Sequence, residues 1–252
     1  REFLKGTIPG SVNIPILTNE EYEIVGKEYK AKGQEAATKL GFELVNDDIK
    51  KQRIAHWENH INDNPGCNIF CYKGGLRSKI AEAWLKEKNI KIDRILGGYK
   101  QFRSYIISQH SCSKNYIKSW TVIGGLTGSG KTMLLKEFDE SIDIEKIANH
   151  RGSAFGKNTS EQPSQANFEN IITNNYLNHI PPKIYIEDES RTIGRVTLPE
   201  SWYEKMQSSD LIVLDISNEE RVHNIIKEYV IEALNDVTSE IELLNQYLSS
   251  LE

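Results

Sequence analysis

At 252 residues the chain is long enough for two domains, each with a core of its own. Hydrophobic residues make up 38% and charged residues 27%, and no apolar run approaches the roughly 20 residues that span a bilayer, which excludes a helical membrane protein and fits a cytoplasmic one. A formal net charge of −5 excludes a broadly basic nucleic-acid surface, and three cysteines without regular spacing exclude a disulfide framework.

The chain opens on Gly6-Thr7-Ile8-Pro9-Gly10-Ser11-Val12-Asn13-Ile14-Pro15, an extended stretch. Thr18-Asn19-Glu20-Glu21 then reads as a capping box that starts a helix to about Ala31. Gly33 interrupts it, and the helix resumes from Glu35 to Leu40. A further helix from about Asp47 to Asn62 turns Ile49, Ile54, Trp57 and Ile61 inward, and Asn64-Pro65-Gly66 ends it. His56 and His60 do not make a zinc-protease motif, because Trp57 and not glutamate follows His56. Lys27, Lys30, Lys32, Lys39, Lys50, Lys51 and Arg53 crowd this region, either as solvated helix faces or as a surface for nucleic acid.

Asn68-Ile69-Phe70-Cys71 reads as a short buried strand, Tyr72-Lys73-Gly74-Gly75-Leu76-Arg77 as a loop, and Ser78 to about Lys88 as a helix with Ile80, Ala81, Trp84 and Leu85 on one face. A cysteine at a strand end, paired glycines and an arginine at a helix start form a cradle for an oxyanion. Loop amides, Lys73 and Arg77 would stabilise a thiolate on Cys71, the nucleophilic form; the bland alternative is a small buried core cysteine. Cys67 is four residues away across a strand, not a metal knuckle, and Cys112 has no evident role. The polar segment from Ser108 to Lys118 reads as a linker, with a domain boundary near Cys112.

Beyond it, strand and helix alternate as in a parallel α/β sheet. Trp120 to Ile123 is a strand, Lys131 to Asp139 a helix, and Ile142-Asp143-Ile144 a second edge. Pro163 to His179 contains a helix, Lys183 to Ile186 is a buried strand, Asp210 to Asp215 is another strand, and Asn218 to Leu234 is a long helix. Between the first strand and helix, Gly125-Leu126-Thr127-Gly128-Ser129-Gly130-Lys131-Thr132 fits G-x-x-x-x-G-K-[ST]. Such a turn aims several backbone N–H groups at one point, where the helix dipole also favours an anion. Lys131 would reach phosphate oxygens, and Thr132 is placed to hold a magnesium ion that accompanies them.

The strand ending in Glu187-Asp188-Glu189 brings carboxylates to the crevice where ligands bind in open α/β sheets, for a magnesium-bound water or simply a solvated turn. No metal site made of protein ligands is assigned. Arg191 and Arg195, four apart, would share a helix face and clamp a diphosphate or nucleic-acid phosphate, or else pair with Glu187 or Glu189. Arg151, beside Gly152 and Ser153, is a further phosphate-facing candidate.

Two family resemblances rest on these residues. Gly6 to Pro15, the Cys71 loop, and Leu96-Gly97-Gly98-Tyr99 before an amphipathic helix resemble rhodanese domains, which carry sulfur or selenium on a loop cysteine. A rhodanese-like domain followed by a P-loop domain is similar to the bacterial tRNA 2-selenouridine synthases. Ile16-Leu17-Thr18 with Gly26 to Lys30, Asn149-His150-Arg151-Gly152-Ser153-Ala154-Phe155-Gly156, and Glu187 to Arg191 with Ile193-Gly194-Arg195 agree with that family. The implied fold is α/β, with a rhodanese-like domain over 1–112 and a P-loop NTPase-like parallel-sheet domain over 113–252. Where the chain begins at Arg1 the family has a preceding strand and an aspartate, and beyond Glu252 it continues; the chain therefore reads as a fragment lacking an N-terminal strand and a C-terminal helical region.

The resemblance implies an enzyme that replaces sulfur by selenium at the wobble 2-thiouridine of a tRNA anticodon. Geranyl diphosphate first alkylates the sulfur, and selenium from selenophosphate then displaces the geranyl thiol. Cys71 and Arg77 would handle selenium, and the loop around Lys131 the diphosphate, with magnesium as an optional companion. Cys71 and Arg77 are separated by five residues rather than the four of single-domain sulfur carriers. That longer loop encircles a tetrahedral phosphate, which suits selenophosphate and equally a cysteine-dependent phosphatase. An ATP-dependent kinase with a regulatory rhodanese-like module, and a non-enzymatic tRNA-binding protein, remain as alternatives.

Overall fold

Described by a computed structural model over residues 2–150 and 160–226, the chain divides between Ser108 and Gln109 into two units. In the first, α1 (Glu2–Lys5) leads through an extended stretch to α2 (Asn19–Leu44). Thr18 accepts from the Glu21 N–H at 3.2 Å while the Glu21 carboxylate accepts from the Thr18 N–H at 2.7 Å, the reciprocal cap expected of this sequence. Gly33, at φ 85° and ψ −172°, breaks the helix as expected, but the second part runs past Leu40 to Leu44. Gly41 does not stop it, because a glycine inside a helix costs only about 1 kcal/mol relative to alanine.

Asn46 caps α3 (Asp47–Asp63), with its side chain accepting from the Ile49 N–H at 3.1 Å. β1 (Asn68–Ile69), α4 (Leu76–Glu87), β2 (Asp93–Arg94) and α5 (Gly98–Gln109) follow, with β1 and β2 parallel. The strand is shorter and less buried than the expected Asn68 to Cys71: past the Ile95 N–H bond to the Ile69 carbonyl at 2.9 Å, the chain leaves the ladder to form the cysteine loop. Val45, Ile54, Trp57, Ala81, Trp84 and Leu85 form the core, with the Trp57 and Trp84 rings stacked 6.1 Å apart. Trp57 Nε1 donates to the Ile14 carbonyl at 2.9 Å and so ties the N-terminal extended stretch to that core.

The second unit begins earlier than a boundary at Cys112 would place it. Ser201 Oγ donates to the His110 carbonyl at 2.9 Å, and Tyr116 is buried against Trp120, Tyr176 and Trp202, so the expected linker is part of this unit. After a 3-10 turn at Ser113–Asn115 come β3 (Ser119–Gly125), α6 (Lys131–Leu135), β4 (Ser141–Ile142), α7 (Ile144–Ala148), α8 (Gln165–Asn178) and β5 (Lys183–Glu187). The hairpin β6 (Thr192–Ile193) and β7 (Val196–Thr197), then α9 (Glu200–Gln207), β8 (Asp210–Leu214) and α10 (Asn218–Ile226), complete the described elements.

The sheet is four-stranded and parallel, in the order β4-β5-β3-β8, as a P-loop-like α/β domain requires. Phe168, Ile172 and Tyr176 of α8 and Trp202 of α9 pack on Trp120, Val122, Ile184 and Ile186 of its central strands. The first helix is shorter than expected, ending at Leu135 and not Asp139, and Ile144 opens α7 instead of extending the edge strand. The continuation of α10 toward Leu234 lies outside the described residues, as do Arg151 and the rest of its block to Gly156.

Arg191 and Arg195 do not share a helix face; they flank and enter the β6–β7 hairpin. Thr192, Ile193, Val196 and Thr197 are β-branched residues that favour strand, and Gly194 at φ 61° supplies the tight turn.

Candidate functional site

In the second unit β3 delivers the chain to Gly124 and Gly125, and α6 starts at Lys131. Gly125, Gly128 and Gly130 lie at φ 147°, 79° and 87°, where only glycine is at ease. A Cβ on Gly125 would strike Ser129 Oγ, and one on Gly128 would stand 2.6 Å from the Arg221 carbonyl oxygen. Ser129 N–H donates to the Leu126 carbonyl at 2.9 Å, and Lys131 Nζ donates across the loop to the Gly125 carbonyl at 2.9 Å. Thr132 stands in the first turn of α6.

Two contacts from α10 brace the outer side. Arg221 Nε donates to the Thr127 carbonyl at 3.1 Å, and Asn224 Nδ2 to the Gly128 carbonyl at 2.9 Å. Neither residue could be assigned from sequence, since each lies more than 90 positions from its partner, at separations of 94 and 96. A loop held in this way keeps its N–H groups convergent and its lysine amine within reach of an anion.

Strand β5 runs beside β3, with Glu187 opposite Ile123. Glu187 is fully buried, and its Oε1 accepts the Glu145 N–H at 2.8 Å. Burial above all, and then the Asp143 carboxylate, push its carboxyl up to about 8, against the opposing pull of the Glu145 N–H and Lys131. Burial also raises Glu189, while a hydrogen bond with the Glu145 side chain and the charge of Lys131 lower it. The Asp188 N–H donates to the Ile123 carbonyl at 2.8 Å, which sets Asp188 beside Gly124. Arg191 pairs with Glu200 and not with Glu187 or Glu189, and Arg195 enters the hairpin with its N–H bonded to Gln162 Oε1 at 2.8 Å.

In the first unit the cysteine loop is built backbone against backbone. The Cys71 carbonyl accepts from the N–H groups of Gly74 and Tyr99, each at 3.2 Å, and the Tyr72 carbonyl from Lys100 N–H at 2.8 Å. Gly74 and Gly98, at φ 62° and 57°, permit this approach; a Cβ on Gly98 would collide with the Cys71 carbonyl oxygen. Arg94 secures the far side, donating from Nη1 to the Gly74 carbonyl at 3.1 Å and from Nε to Glu82 at 2.9 Å. Lys73 and Leu76 are exposed, Tyr72 and Gly75 half-buried.

Cys71 Sγ lies 3.3 Å from Ser78 Oγ in the first turn of α4. Burial pushes the thiol up, yet the hydrogen bonds of Ser78 and Gly75 and the charge of Arg77 outweigh it, so the thiol is held below its ordinary value. Arg77 itself is turned to Glu2, with Nη1 2.6 Å from the Glu2 carboxylate and the guanidinium 5.6 Å from the centre of the Tyr22 ring. A cavity of about 730 Å³ opens here, lined by Cys71, Arg77, Ser78, Tyr22 and the Gly6 to Asn19 stretch. Ser78, Arg94 and Glu2 went unassigned in the sequence, although a serine one position after the loop arginine is a local signal for Ser78.

Much of the lysine-rich segment is paired with acids: Lys27 with Glu23, Lys32 with Glu28, Lys50 with Glu87, Lys51 with Asp48 and Arg53 with Glu21. All three cysteines are free. No helix among the described residues is long and apolar enough to cross a membrane.

A family model described as the tRNA 2-selenouridine synthase AAA domain matches residues 118–251. A tRNA 2-selenouridine synthase of Shewanella denitrificans is 44% identical over 232 residues, covering 91% of this chain and 63% of the relative. Relatives of the same name from Shewanella frigidimarina and Nitrosomonas eutropha are each 43% identical, covering 94% and 91% of this chain and 66% and 61% of their own lengths. The chain thus spans less than two thirds of the curated relatives it matches. No solved structure matches it. By the family model and by these identities, the chain belongs to the tRNA 2-selenouridine synthase family.

Proposed function

We propose that this chain carries the selenium-transfer chemistry of a cytoplasmic tRNA-modifying enzyme, replacing the sulfur of wobble 2-thiouridine by selenium. The reading joins the name of its relatives to one structural observation: an activated cysteine in a glycine loop and a phosphate-binding loop occur on the same chain. In the first step the thiocarbonyl sulfur attacks C1 of geranyl diphosphate, and diphosphate leaves. The S-geranyl group makes sulfur a better leaving group. In the second step the selenium of selenophosphate attacks C2 of the base and the geranyl thiol departs; water then takes the phosphoryl group as the Se–P bond breaks, leaving the selenocarbonyl and phosphate. The loop from Gly125 to Thr132 is the natural home of the diphosphate, since neither step calls for ATP hydrolysis.

Cys71, with a lowered thiol, positions the selenium of selenophosphate, and the N–H groups of the Tyr72 to Leu76 loop hold the phosphate part. The Glu2–Arg77 pair is exposed enough to exchange its carboxylate for a phosphate, the better match for a guanidinium fork. Asp188, Arg151 and Arg195 are left as candidates for tRNA or phosphate contact, with Arg191 less available because of Glu200.

The test is mass spectrometry of wobble nucleosides from 2-thiouridine tRNA incubated with the protein, geranyl diphosphate and selenophosphate. The expected product is 2-selenouridine, with S-geranyl-2-thiouridine alone when selenophosphate is omitted. Cys71→Ser should keep the geranylated product and lose the selenated one, because a serine hydroxyl stays protonated. Unaltered 2-thiouridine with wild-type protein, or undiminished selenation by the serine variant, would overturn the reading. Rapid ATP turnover without tRNA would point to a kinase instead.

A further inference from the structure

Three carboxyl groups converge at the end of β5. Glu187 is fully buried, and while its Oε1 takes the Glu145 N–H, its Oε2 has no hydrogen-bond partner. A buried carboxylate oxygen left unpaired is costly and calls for a proton or a cation. Glu145 on α7 and Glu189 in the turn after β5 each bring an oxygen to the same place; with one from Glu187, the three lie within 4.8 Å of one another. We propose that Glu145, Glu187 and Glu189 directly ligate a hard divalent cation, at a site distinct from Thr132 of the phosphate loop.

The donor set is carboxylate oxygen alone, which selects the magnesium, manganese and calcium class over zinc or copper. Oxygens on opposite sides of such a cation, each about 2.0–2.6 Å from it, stand roughly 4–5 Å apart, so small side-chain rotations close the three onto one ion. The proposal is independent of which anion fills the phosphate loop.

The full chain is titrated with Mn²⁺ in the absence of any phosphate compound, and free Mn²⁺ is followed by electron paramagnetic resonance. The expected result is saturable binding of a single ion per chain, reversed by Mg²⁺. Loss of a ligand carboxylate in Glu145→Gln or Glu189→Gln should weaken it about tenfold or more, while Thr132→Ala leaves it unchanged. Glu187→Gln could unfold the core, so the two less buried glutamates decide the outcome. Absence of saturable binding, or binding lost in Thr132→Ala and kept in Glu145→Gln and Glu189→Gln, overturns the proposal.

Discussion

Cys71 is ionisable for reasons that lie within one helical turn of it. Burial opposes the thiolate, but Ser78 hydroxyl and N–H, Gly75 N–H and the Arg77 charge together outweigh burial. Thiolate reactivity should therefore appear at lower pH than for an ordinary thiol. Alkylation of Cys71 by iodoacetamide, followed by mass spectrometry across a pH series, should reach half its maximal rate at a lower pH than for a free model thiol alkylated alongside. Ser78→Ala removes one of the opposing hydrogen bonds, so the Cys71 midpoint should move upward toward the ordinary value. An unmoved midpoint would mean that Ser78 does not stabilise the thiolate. At this scale the candidate residues were legible in the sequence, because Cys71, Arg77 and Lys131 announce themselves by chemistry and local spacing. Their supports were hidden: Arg94 meets Gly74 across 20 positions and Glu145 meets Glu187 across 42, separations that only the folded chain closes.

Elements were legible where a local rule fixes them. The Thr18 capping box and the Asn46 cap start α2 and α3 where side chains satisfy helix N–H groups, and Gly33 breaks α2 by its own backbone. The β6–β7 hairpin was missed because an i, i+4 arginine pair suggests a helix, although Gly194 between β-branched pairs signals a two-residue turn. Sequence also showed glycines without showing which are pressed against something. Gly66 lies at φ 83° with nothing within 4 Å of a Cβ, whereas Gly98 at φ 57° faces the Cys71 carbonyl and the Gly74 backbone. Gly66→Ala should thus cost only the conformational strain of about 1 kcal/mol, whereas Gly98→Ala adds a backbone collision and should cost about 3 kcal/mol or more. Urea unfolding followed by circular dichroism compares them. Equal losses would show that the cysteine loop does not rest on the Gly97-Gly98 turn.

Over the whole molecule, the two candidate sites are each built within one unit. The residues that shape Cys71 (Gly74, Ser78, Arg94 and Gly98) lie before Ser108, and those that brace the Gly125 to Thr132 loop (Lys131, Arg221 and Asn224) lie after it. The proposed reaction likewise separates a diphosphate step from a selenium step, so a lesson about one site should not spread to the other. Lys131→Ala removes a charge while leaving the glycine N–H groups in place. A charge-assisted contact contributes about 1.5–3 kcal/mol, so diphosphate affinity should fall on the order of ten- to a hundredfold. Titration calorimetry with geranyl diphosphate and with ATP measures this loss and shows which ligand the loop prefers. In the same variant, the pH profile of Cys71 alkylation should coincide with wild type, and tRNA geranylated beforehand should still be converted with selenophosphate. Binding of ATP alone, lost with Lys131, would remove the prenyl diphosphate from the scheme. A Cys71 profile displaced by Lys131→Ala would instead show that the two sites act as one, which the separate sets of supporting residues argue against.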